Sequence, residues 1–186
     1  MQWRQAALSR AAMLRPMTAP TAPKTYRYYW EDFPTGHVRD FGGITVSREA
    51  VLAFAAQFDP QPFHMDDEAA RTSLFGGLCA SGWHTCAMTM RMMCDAYLLD
   101  SASLGSPGIE ALRWLKPVYP GDTLRGRLTV QEARPMASKP HVGLVRSLWE
   151  VRNQHEETVL TMEGWGMFRR REAAVPEAAP RVAPAA

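Results

Sequence analysis

An aspartate and a histidine, Asp59 and His64, stand five positions apart in the segment Phe58-Asp59-Pro60-Gln61-Pro62-Phe63-His64, and Gly82 follows eighteen residues later. A carboxylate and an imidazole suit proton exchange with water, because the first is ionised near neutral pH and the second titrates close to it. Each of the two prolines fixes its own φ and biases the residue before it away from the helical region. The spacing therefore predicts a stiff, largely extended, non-helical stretch that curls both side chains toward one pocket. Taken singly, Asp59 also suits a turn or cap, and His64 a hydrogen-bonded place in the core.

Other elements have to deliver these groups. Ser47 is a suitable N-cap, Glu49 favours a first turn, and Val51, Leu52, Phe54, Ala55 and Phe58 recur at helical spacing until Pro60 ends the helix. Residues 66–71 form an acidic-led helical turn, and Phe75-Gly76-Gly77 is a break. From Ser81 or Gly82 to about Leu99 the chain reads as one long helix, apolar over most of its circumference and so expected to be buried on all sides. Met88, Met90, Met92 and Met93 fit it as flexible core filling. At its start the first N–H groups lack intrahelical acceptors and the dipole favours negative charge, so Gly82, without a side chain, offers an anion-binding amide. Ser81 suits either an N-cap or a substrate contact. His84, a turn further in, suits helix packing better than catalysis.

Strands are expected at residues 37–45, 109–118, 122–131, 142–152 and 158–169, with a loop at 101–108 and turns at Tyr119-Pro120-Gly121-Asp122 and 153–157. The order of strand, helices, one central helix and four strands implies an α+β domain with an antiparallel sheet packed on a helix.

At 186 residues, 46% hydrophobic and 22% charged, the chain has the length and composition of one globular domain. A net charge of +2 without a concentrated basic face argues against nucleic-acid binding, and no apolar run approaches the length of a membrane span. Arg113, Lys116, Arg125 and Arg127 suit a nucleotide phosphate or, more simply, solvent. Cys79, Cys86 and Cys94 fall in the stretch read as helix, match no metal-ligand or disulfide pattern, and are expected as buried reduced thiols, in keeping with a cytoplasmic protein. Residues 1–24 hold four basic and no acidic side chains, which fits a disordered arm, an organellar targeting segment, or an over-extended start with Met13 or Met17 as the true one. Residues 25–171 form the domain, and 172–186, rich in Ala and Pro, a disordered tail.

Four motifs in order resemble the MaoC-like branch of the hotdog fold, which includes the (R)-specific enoyl-CoA hydratases. They are Asp59-Pro60-Gln61-Pro62-Phe63-His64, the acidic-led Met65-Asp66-Asp67-Glu68-Ala69-Ala70, Ser81-Gly82, and Trp114-Leu115-Lys116-Pro117-Val118-Tyr119-Pro120-Gly121-Asp122. The resemblance implies a hotdog fold, an antiparallel sheet wrapped round a long central helix. It implies reversible hydration of a 2-enoyl thioester, with Asp59 and His64 as the acid/base pair and Gly82, Ser81 and Pro62 at the substrate. It also implies a homodimer, acyl-CoA or an acyl-carrier thioester as substrate, CoA only as part of that substrate, and no metal or redox cofactor. Two positions depart from the family pattern: Gln61 replaces its usual Asn, and Phe58 its usual Gly, which is expected to narrow the acyl pocket or shift the aspartate. A hotdog thioesterase and a non-catalytic acyl-thioester module are the alternatives.

Overall fold

The computed structural model describes residues 25–171, so the expectations for residues 1–24 and 172–186 lie outside the described residues. Strand β1 (Val38–Thr45) leads into helix α1 (Arg48–Phe58), the short helices α2 (Pro62–Met65) and α3 (Asp67–Arg71), and the central helix α4 (Gly82–Met93). Strands β2 (Ser103–Trp114), β3 (Thr123–Met136), β4 (Lys139–Arg152) and β5 (Thr158–Arg169) follow. They form one antiparallel sheet in the order β1-β3-β4-β5-β2, so β1 and β2 are its edges. The sheet curls round α4 and its continuation in the α+β hotdog arrangement.

Strand β3 shows why the sheet has a wet and a dry face. Leu124, Leu128 and Val130 alternate with Arg125 and Arg127, and the three apolar side chains are buried against the helix layer. Gly126 lies on the same inner face, opposite Phe41 of β1, and the Phe41 ring fills the space a side chain there would need. From the far side of the core, Phe33 stacks on Phe168 with ring centroids 4.7 Å apart. Tyr97 closes this layer, its hydroxyl accepting a 3.1 Å hydrogen bond from Trp149 Nε1.

Several elements differ from the sequence-based expectation. The central helix is α-helical only to Met93, and Cys94–Leu98 continues it as a π-helix. It is not buried all round: Trp83, Met90, Arg91 and Leu99 are exposed, because the sheet covers one side of the helix and leaves the side toward the β2 edge open. The expected loop at 101–108 is mostly strand, since β2 begins at Ser103, and it ends at Trp114 instead of residue 118. Glycines and a proline signalled a loop, but here they serve an edge strand whose register shifts repeatedly, with Gly105 and Gly108 at positive φ. Strands β3 and β4 extend past residue 131 and begin before residue 142. Cys79 precedes α4 and is buried, while Cys86 and Cys94 are half-buried; all three are free thiols. Among the described residues no helix is long and apolar enough to cross a membrane.

Overpacking at the Phe41–Gly126 pair should be costly. Gly126→Ala is expected to destabilise the domain by about 1–3 kcal/mol, measured as a lower urea midpoint at unchanged m-value, and Phe41→Ala in the same chain should relieve part of the added strain.

Candidate active site

Helix α1 delivers Asp59 as its C-cap. Ser47 opens the helix by accepting a 3.1 Å hydrogen bond from Ala50 N–H, and the Asp59 N–H closes it on the Ala55 carbonyl at 2.9 Å. Beyond it the chain turns tightly at Pro60, the Gln61 N–H donating to the Asp59 carbonyl at 2.8 Å, and Gln61 itself is extended, with φ −75° and ψ 141°. There the expectation of a non-helical segment fails, because Pro62 starts the helical turn Pro62–Met65 that carries His64. Proline restricts the residue before it, but its own fixed φ is helical and its missing N–H is not needed at a first helical position. The two prolines thus stiffen the approach and then start a turn that brings His64 back over Asp59.

The two ring nitrogens of His64 have different partners. Its Nδ1 lies 2.8 Å from the Cys79 carbonyl oxygen. A carbonyl only accepts, so Nδ1 carries the proton and the Nε2 lone pair faces Asp59 when the ring is neutral. Nε2 is 3.6 Å from Asp59 Oδ2, an approach that lets one water lie within hydrogen-bond reach of both. The ring is 5% exposed and bordered by Phe63 (4.6 Å, edge-on) and Phe75 (6.1 Å, stacked).

The Asp59 carboxyl is held below the usual carboxylate range, first by a hydrogen bond from the Ser81 hydroxyl, then by Gln61 and by the nearby His64, against an opposing contribution from burial. Gln61 Nε2 donates to Asp59 Oδ1 at 2.7 Å, so the glutamine in place of the family's asparagine still reaches the aspartate. Phe58 does not narrow a pocket: it is 64% exposed, packs on Phe54, and lines neither cavity described below.

Ser81 joins the two halves of the site. Its Oγ accepts from the Trp83 N–H at 3.2 Å as the N-cap of α4, while its proton serves Asp59. The cap therefore uses the Trp83 amide and leaves the Gly82 N–H, which has no intrahelical acceptor, at the helix start. Gly82 and His64 line one cavity of about 310 Å³ with Phe75, Thr85, Trp114 and Val118. Asp59, His64, Ser81 and Gly82 are thus brought together, whereas Pro62 contributes the start of α2 and is not among the cavity's lining residues.

A second, apolar cavity of about 240 Å³ lies further along the helix, between Met90, Met93 and Tyr97 on one side and Ile109, Trp165 and Phe168 on the other. Eight residues separate Gly82 from Met90, which is about 12 Å along a helix. Trp114 and Phe75 escaped notice as site residues in the sequence. Trp114 comes from an edge strand 32 positions away, and its only signal was the aromatic that opens the Trp114–Asp122 motif.

Three further groups are accounted for outside the acid/base pair. His84 stacks on Phe54 of α1 (4.7 Å, 8° between planes), is buried with Nδ1 unpartnered, and has its pKa lowered by that burial. Burial pushes the Cys79 thiol up to about 11, so it is not a thiolate at neutral pH. Of the basic residues, Lys116 pairs with Glu157 and Arg127 with Asp40, while Arg113 and Arg125 are exposed without an ion-pair partner among the described residues.

The depressed Asp59 pKa has a definite consequence for stability. A carboxylate whose folded pKa lies below its unfolded value of about 4 contributes stability that is fully present above that value and lost as pH falls through the folded pKa. The Tm difference between wild type and Asp59→Asn should therefore change as pH falls below about 4 and be flat above it. Ser81→Ala, which removes the first cause of the depression, should move that acid limb to higher pH; an acid limb identical in all three proteins would contradict the assignment.

Known proteins share this fold and parts of this sequence. Residues 32–151 match the family model of the MaoC-like domain. The structure of a MaoC-like dehydratase from Rhodospirillum rubrum is similar at a TM-score of 0.71 and 43% identity, covering 76% of this chain and 97% of that one. YdeM of Bacillus subtilis, an uncharacterised protein, is 29% identical over 133 residues, 72% of this chain and 93% of YdeM. A mesaconyl-CoA hydratase from Cereibacter sphaeroides is 43% identical over 70 residues, which are 38% of this chain and 20% of that protein. With the domain match spanning well over half its length, this chain belongs to the MaoC-like dehydratase family of the hotdog fold.

Proposed function

We propose that the protein is a hydratase/dehydratase that acts reversibly on a 2-enoyl thioester, with CoA as the favoured carrier. The observation that supports this reading is that His64, with Asp59 3.6 Å from its Nε2, lines the same cavity as Gly82 at the start of α4. Hydration needs water made nucleophilic at C3 and a place for the charge that develops on the thioester oxygen. In the forward direction the water oxygen bonds to C3, one water proton passes to the pair, and a proton from the pair is delivered to C2 as the enolate collapses. Neutral His64, with Nδ1 tied to the Cys79 carbonyl, presents Nε2 as the base, and the ionised Asp59 orients the same water and stabilises the imidazolium. The enolate oxygen lies against the Gly82 N–H, where the α4 dipole favours negative charge. The apolar cavity beyond Met90 is of a size and lining that suit an acyl chain extending from the thioester.

Hotdog thioesterase chemistry usually uses a carboxylate on or opposite the central helix. Gly82–Met93 contains none, and Asp95, the next, is engaged by Arg91 at 2.9 Å. Both cavities border β2, an edge strand exposed along nearly its whole length with Leu104, Ile109 and Trp114 on it. Pairing of that edge with a second copy would satisfy its backbone groups and cover the apolar side chains, so we read the working unit as a homodimer. Free thiols in the described residues are in keeping with a reducing, cytoplasmic setting.

Incubation with crotonyl-CoA and with longer, branched and carboxylated enoyl-CoA thioesters should give loss of enoyl absorbance for at least one of them. Asp59→Asn and His64→Ala should each lower kcat by about 10²–10⁴ with the fold retained. Release of free CoA thiol from saturated acyl-CoA would favour the thioesterase, and binding without turnover, unchanged in both variants, the non-catalytic module. Light scattering at micromolar concentration should give twice the chain mass; a monomer would refute the dimer.

A further inference from the structure

Gly82 has been assigned its role as an amide without a side chain in the way, yet the space where its side chain would stand is not open. A Cβ built at Gly82 comes within 2.5 Å of Trp114 Cε2 and 2.7 Å of its Nε1, so the indole lies flat against the glycine Cα. The same ring nitrogen donates a 2.9 Å hydrogen bond to the Gly82 carbonyl and lies beside the Cys86 thiol. Trp83 packs edge-on against the indole, with centroids 5.2 Å apart at 80°. Trp114 is the last residue of β2, paired there with Leu160 of β5, so its backbone is fixed by the sheet while its side chain reaches the helix start.

We propose that Trp114 is the positioning residue of the thioester-oxygen site: its indole replaces the missing side chain of Gly82 and clamps the two peptide planes on either side of that residue. This rests on the hydratase reading given above. Glycine has soft torsions on both sides, and an amide that is free to tilt stabilises a developing charge poorly, because electrostatic stabilisation depends on dipoles aimed before the reaction begins. Two contacts remove that freedom. The ring against Cα restricts rotation about the N–Cα bond, which sets the direction of the Gly82 N–H. The hydrogen bond to the carbonyl, made with a lone pair beyond the one used inside the helix, fixes the following peptide and with it the Trp83 N–H held by Ser81. The glycine thus serves two neighbours, an oxygen on its amide and an indole on its Cα, and the identity of residue 114 sets the identity of residue 82. The indole also forms one wall of the 310 Å³ cavity that holds His64, so it bounds the thioester as well as the amide.

The test compares Trp114→Phe, which keeps an aromatic ring but loses the N–H, with Trp114→Ala, which removes both. In the wild-type background an active enoyl-CoA substrate is first identified from the absorbance screen. Trp114→Phe should then lower kcat about tenfold while KM stays within about twofold, since the lost interaction acts on a charge that exists only in the transition state. Trp114→Ala should lower kcat further and raise KM as the cavity wall is lost. A spectroscopic readout separates positioning from stability: the red shift of a bound 2,4-dienoyl-CoA chromophore, which reports polarisation of the thioester carbonyl, should be smaller in Trp114→Phe. Gly82→Ala should lower Tm in the wild-type chain but cost markedly less in Trp114→Ala, where the methyl group has room. Variants of residue 114 that lose Tm while keeping wild-type kcat and the full red shift would overturn the proposal and leave the hydratase reading intact. A wild-type protein inert toward the whole enoyl-CoA series would overturn both.

Discussion

The hydrogen bond from His64 Nδ1 to the Cys79 carbonyl, 2.8 Å long and buried, is the contact on which the chemistry of the site depends. It selects the tautomer, because the acceptor has no proton to give, and it sets the plane of the ring that turns Nε2 toward Asp59. It also ties α2 to the segment that leads into α4, so the acid/base pair and the helix N-terminus are held in one frame. Ser81, two residues beyond Cys79, adds a second tie by capping α4 with its oxygen and donating a hydrogen bond from its hydroxyl to Asp59. His64 is thus oriented by a buried hydrogen bond, and Asp59 by Ser81 and Gln61, an arrangement that keeps reorganisation during proton transfer small.

The sheet accounts for the position of everything else. It curls round one side of α4, and the side it leaves open lies along β2, where Trp83, Met90, Ile109 and Trp114 remain exposed. The open side is also where both cavities are bordered by β2. The same strand that presents an unpaired edge therefore supplies walls for the proposed substrate, and Trp114 at its end reaches over the start of α4. Structural irregularity is concentrated there too: β2 shifts register along its length and α4 passes into a π-helix at Cys94.

How much of this could be read from residues alone differs from element to element. Strand β3 was legible because Leu124, Leu128 and Val130 alternate with arginines, and α1 because its cap and its helical spacing agree with one another. Strand β2 was misread in its first half because Gly105, Pro107 and Gly108 look like a loop when their partner strand is unknown. The uniformly apolar central helix suggested complete burial, yet which side a sheet leaves uncovered depends on strand order, and order is a property of the assembled sheet. Phe58 illustrates the converse: its size suggested a narrowed pocket, and the direction of α1 turns it to solvent instead.

By itself the sequence determined the ingredients: an Asp and a His brought near one another by two prolines, a capped helix starting at glycine, and an alternating pattern sufficient for an antiparallel sheet. These are local matters, fixed by backbone torsions, by cap hydrogen bonds and by the period of side-chain directions within a few residues. Only the tertiary structure decided which partner each ingredient meets. Cys79 takes the His64 proton donor, Ser81 reaches Asp59, and Trp114 comes to rest on Gly82 from 32 residues away. Those contacts depend on how the sheet closes over the helix, and neither spacing nor composition carries that information.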